Sequence, residues 1–80
     1  FYVYPNPSSE IINLKSSINS REKYKIILTN NLGQVVLDKN CSDLNNLEIN
    51  IQNLEPGIYF INIEGDTDLN KKLSFIKTKN

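Results

Sequence analysis

Three oxygen-bearing residues in this chain have a spacing that could hold a cation. Asp66, Asp68 and Asn70 follow one another at intervals of two, as the first ligands of a calcium loop do. The pattern then breaks. Lys71 stands where such a loop needs glycine, and Lys77 where it needs a bidentate glutamate. The stretch therefore reads as a polar turn. Cys41 is the one thiol, so no disulfide can close within these 80 residues. Its sequence neighbourhood predicts a loop, with the side chain partly covered. A nucleophilic serine or cysteine needs a base within hydrogen-bond reach, and histidine is absent. No lysine or carboxylate is grouped with Cys41 or a serine to replace it. The expectation is no catalytic residue, no metal and no cofactor.

The remaining candidates are charges. Nine basic residues balance nine acidic ones. A formal net charge of zero argues against a nucleic-acid partner, which would need a positive excess to meet phosphates. The balance is uneven along the chain. Lys71, Lys72, Lys77 and Lys79 gather at the end, after Glu64, Asp66 and Asp68. Such a run serves either as a solvated, aggregation-blocking edge or as a charged tag read by a partner.

The elements that position these residues have a period of two. Strands are predicted over Tyr2–Tyr4, Glu10–Lys15, Tyr24–Thr29, Gln34–Lys39, Leu47–Ile51, Ile58–Glu64 and Leu73–Ile76. Ile12 and Leu14 share a face, as do Tyr24, Ile26 and Leu28, and Tyr59, Ile61 and Ile63. Polar connections separate the runs, among them Asn40–Asn46 and Gly65–Asn70. Asn30-Asn31-Leu32-Gly33 predicts a tight hairpin turn with positive φ. Pro56-Gly57 predicts the centre of a type II turn. Eleven isoleucines, thirteen asparagines and no alanine disfavour helix. The expected fold is all-β: a seven-stranded antiparallel sandwich. Residues 1–80 are expected to form one domain. No apolar run is long enough to span a membrane, so no direct membrane insertion is expected. The opening residues lack a signal peptide, and the missing initiator methionine suggests a chain either processed or cut from a longer protein.

The order of motifs carries more than any one of them. Tyr4-Pro5-Asn6-Pro7 comes first, then Ile26 to Val36 around Gly33. Leu54-Glu55-Pro56-Gly57-Ile58-Tyr59 follows, and Lys72-Leu73-Ser74-Phe75-Ile76-Lys77 closes the chain. In that order they resemble the type A C-terminal sorting domain of the type IX secretion system of Bacteroidota, across essentially all 80 residues. The resemblance implies an immunoglobulin-like sandwich at the end of a larger exported cargo. It implies passage through the periplasm, then release or display at the cell surface. The implied partners are the outer-membrane translocon, a shuttle protein and a sortase that removes the domain, with cargo domains upstream in the same chain.

Carried over by position, Pro5, Asn6, Pro7, Gly33, Pro56, Gly57 and Tyr59 match the family motif. Lys72, Leu73, Phe75, Lys77 and Lys79 fall in the terminal segment, where the resemblance places recognition by the translocon. Two departures stand out. Gln34 occupies a position usually held by arginine or lysine, and Thr78-Lys79-Asn80 runs past the usual end. Tyr59 after Pro-Gly is also similar to the tyrosine corner of β-sandwiches, whose hydroxyl pins a loop. Fibronectin type III modules share that corner. The alternative is therefore an accessory module of that kind, binding a glycan or a neighbouring domain. The only aromatics available for a sugar platform would be Tyr2, Tyr4 and Phe60.

Overall fold

A computed structural model describes residues 2–4, 10–15, 23–42, 47–65 and 70–79. Among them lie seven strands and no helix: β1 (Tyr2–Tyr4), β2 (Ile11–Lys15), β3 (Lys23–Asn30), β4 (Val35–Ser42), β5 (Leu47–Asn50), β6 (Gly57–Gly65) and β7 (Asn70–Lys77). They form two antiparallel sheets, one ordered β1-β2-β5 and the other β4-β3-β6-β7.

The alternation that predicts the strands also builds the core. Ile12 and Leu14 from β2, with Ile49 and the adjoining Ile51, come from the three-stranded sheet. Tyr24, Ile26 and Leu28 from β3, Tyr59, Ile61 and Ile63 from β6, and Phe75 from β7 come from the other. All belong to one buried cluster. Each fully buried side chain of this size contributes about 1.5–3 kcal/mol through apolar surface removed from water. The stability rests on this cluster, because Cys41 has no disulfide partner.

Two strands reach three residues further at one end than the sequence predicts. β4 continues through Cys41 and Ser42, so Cys41 is a strand residue paired opposite Tyr24, not a loop residue. Residues such as Asn40 point outward and give no apolar signal. β7 begins at Asn70, not Leu73, because Asn70, Lys71 and Lys72 ladder with Glu64, Ile63 and Asn62. Asp66 and Asp68 of the calcium-like run lie outside the described residues, as do Pro5, Asn6 and Pro7.

The β3–β4 hairpin is organised by one side chain. The Gly33 amide donates to the Asn30 carbonyl at 3.1 Å, and the Asn30 amide to the Gln34 carbonyl at 3.0 Å. Asn30 Oδ1 accepts from the Leu32 amide at 2.9 Å and the Gln34 amide at 3.0 Å. Asn30 Nδ2 donates to Gln34 Oε1 at 2.8 Å. Gly33 at φ 82° supplies the left-handed residue of this three-residue loop. Gln34 is thus an acceptor in the turn, a role that neither arginine nor lysine can fill. Just beyond, Thr29 pairs with Val35 but Leu28 pairs with Leu37. Val36 is the extra residue of a β-bulge.

Replacing Gly33 with alanine meets no steric obstacle, but it forces φ 82° on an L-residue. The expected loss is about 1–2 kcal/mol. Asn30→Ala removes three side-chain bonds from an exposed turn and should cost about 1 kcal/mol. Urea unfolding of the purified domain measures both.

Candidate functional site

Two features draw on the predicted motif residues: the corner before β6 and the terminal strand β7. At the corner the chain leaves β5, turns through Ile51–Leu54 with the Leu54 amide on the Ile51 carbonyl at 3.0 Å, and enters β6. The Tyr59 hydroxyl donates to the Glu55 carbonyl at 2.6 Å. The tyrosine corner expected from Pro56-Gly57-x-Tyr59 is therefore formed. Its ring stacks on Phe75 with centroids 5.5 Å apart and 18° between planes. The turn type differs from expectation. Gly57 has φ 152°, far from the value near +80° at the third residue of a type II turn. Glycine is still required there, because other residues rarely adopt that φ.

The terminal strand divides its residues between two faces. Phe75 is 1% exposed and Lys77 2% exposed, and both point inward, while Leu73 packs partly against the core. Lys72 points outward, with its ammonium 4.9 Å from the centre of the Phe60 ring. Lys79 is exposed beyond the strand. The four lysines therefore do not form one solvated edge. Lys77 is buried, and its ammonium donates to the Thr78 carbonyl at 2.9 Å. Among the described residues no buried side-chain nitrogen or oxygen lacks a hydrogen-bond partner. The buried Lys77 nitrogen thus has the hydrogen-bond acceptor that a buried polar group requires. Burial of Lys77 is what its charge and terminal position conceal in the sequence.

Chemistry finds little footing elsewhere. Cys41 packs against the core, and burial pushes its thiol up from the ordinary value, partly opposed by the charge of Lys39. That suppresses the nucleophilic thiolate. No group of three metal-ligating side chains converges among the described residues. The exposed Tyr4 and the half-buried Phe60 lie on different sheets, and Lys72 covers the Phe60 ring. The side chain of Tyr2, the third candidate, lies outside the described residues.

The molecule is an all-β domain whose motif residues close a corner and fasten a final strand. The family model for the secretion system C-terminal sorting domain matches residues 2–77, and the chain belongs to that family. Its members are sorting signals for type IX secretion, not enzymes. No curated protein matches the chain. A signal of this kind implies attachment to a cargo chain, interaction with the type IX machinery, and export to the cell surface or beyond.

Tyr59→Phe keeps the ring stack and removes only the hydroxyl. The expected loss is about 1 kcal/mol, read by thermal or urea unfolding. Cys41 should alkylate more slowly in the folded domain than in urea. Because folding raises its thiol above the usual 9.0, its contribution to stability is intact below that pH and is lost as the pH climbs through the folded value. Melting at pH 7 and pH 10, compared with Cys41→Ser, reads this: the wild type should lose more on the alkaline side.

Proposed function

We propose that residues 1–80 form a single immunoglobulin-like sorting domain that carries a larger cargo through the periplasm and across the outer membrane. The family match over residues 2–77, which spans all seven strands, carries this reading. The strand order supports the immunoglobulin-like assignment. β1, β2 and β5 take the places of strands A, B and E, and β3, β6 and β7 those of C, F and G, with β4 beside β3. The domain acts by being bound while folded. The outer-membrane translocon and a shuttle protein read it, and a surface sortase removes it.

The terminal segment is the proposed place of recognition, through Lys72, Leu73, Phe75, Lys77 and Lys79. Burial divides their roles. Phe75 and Lys77 are buried, with Phe75 stacked on Tyr59 of β6, while Lys72 and Lys79 are presented outward. Removing Lys77 to Asn80 would therefore take out a buried strand residue and disturb folding along with any signal. The informative cut falls after Thr78, which leaves β7 and the Lys77 hydrogen bond in place.

A periplasmic reporter fused ahead of residues 1–80 should appear outside cells that possess type IX secretion. Retention of an intact, folded fusion in the periplasm would defeat the proposal. Removing Lys79 and Asn80 should lower export several-fold with no change in the melting transition. Full export after that cut would move recognition away from the chain end.

A further inference from the structure

The outer face of the four-stranded sheet is strongly uneven. The exposed large apolar side chains among the described residues are Tyr4, Ile11, Leu32, Val35, Val36, Ile58 and Ile76. The last five gather at one end of this sheet. Ile58 and Ile76 face each other across β6 and β7, 51% and 47% exposed. Phe60 and Thr29 are direct partners in the next row, and Thr29 pairs with Val35, which is 60% exposed. Leu32, in the adjoining turn, is 78% exposed. The opposite end of the same face is polar, with Lys25 opposite both Glu64 and Asn40, and Ile27 opposite Asp38.

Clustered apolar surface of this kind marks an interaction site more often than chance exposure does. It is also held ready. The Asn30 bonds fix the turn that carries Leu32, and the strand ladders fix the rest, so little conformational freedom is lost on binding. Charge tells what sort of surface would meet it. The hairpin from Asn30 to Leu37 bears no charge. On the other flank, β7 presents Lys72 on this outer face and Lys79 is exposed just past the strand, with no acid among residues 70–79.

We infer that this end of the sheet is the surface by which the folded domain docks on a protein of the export machinery. The occupant is an apolar protein surface bordered by carboxylates on the side that meets β7. Apolar contact supplies the burial, and the lysine flank supplies orientation and encounter rate. The inference rests on the sorting-signal reading and deepens it: Ile58 and Ile76 add an apolar face beside the terminal lysines already proposed for recognition. The sequence conceals it because Ile58 and Ile76 sit one position out of phase with the inward Tyr59 and Phe75.

The reporter fusion tests it with two sets of changes. Ile58→Thr with Ile76→Thr keeps β-branching and removes the apolar patch at outward positions. Export should fall at least tenfold while the melting midpoint of the purified domain barely moves. Lys72→Glu with Lys79→Glu should lower export at least threefold. Lys25→Thr with Asp38→Thr, in the polar half, should leave export unchanged. Wild-type fusion trapped in the periplasm would defeat the sorting reading itself. Wild-type export with equal export of the Ile58/Ile76 variant would overturn the docking face alone. A purified domain that sediments as a dimer, and as a monomer once Ile58 and Ile76 are replaced, would overturn it too, because the face would then belong to a second copy.

Discussion

The hydrogen bond from the Tyr59 hydroxyl to the Glu55 carbonyl is the constraint on which the arrangement turns. The chain must pass from the three-stranded sheet to the four-stranded one between Ile51 and Gly57. That crossing carries backbone groups over the end of an apolar core, where unpaired ones would be costly. Tyr59 meets three needs with one side chain. Its ring enters the core on Phe75, its hydroxyl tethers the crossing, and its backbone pairs with Asn30 on β3 and Phe75 on β7. The corner, the hairpin and the terminal strand therefore meet at one residue. A loosened corner would shift β6, and with it both neighbours.

Much of this can be read without coordinates. Ile12 with Leu14, Ile26 with Leu28 and Ile61 with Ile63 repeat at the strand period, and all are buried. Asn30 through Gly33 is a turn by composition, and Pro56-Gly57-x-Tyr59 is a corner by spacing. The physical limits of such reading lie in particular places. Val35, Val36 and Leu37 form an unbroken apolar run with no phase, so the bulge at Val36 has no signature. Asn40 and Lys72 are outward strand residues whose polarity looks like loop. Lys77 is charged by residue type, and nothing local in the sequence marks it as buried. The order of strands within each sheet arises from long-range pairing that no local pattern encodes.

The functional residues divide along the same line. The motif positions Gly33, Pro56, Gly57 and Tyr59 are legible, yet their observed work is to shape turns and close a corner. The family they point to is established by the match over residues 2–77. What distinguishes one face of the domain from another emerges only when strands are laid side by side. Ile58 and Ile76 are eighteen positions apart in sequence and adjacent in the ladder.

The bulge at Val36 has a consequence for how this domain behaves in company. β4 is an edge strand, and its first residues combine high β-propensity with no charge, the composition that invites another chain to add itself. At Val36 the ladder loses register, so an incoming straight strand finds mismatched donors and acceptors there. Asp38 and Lys39 then bring charge to the remainder of the edge. The bulge and the charges together make β4 a poor template for an added strand.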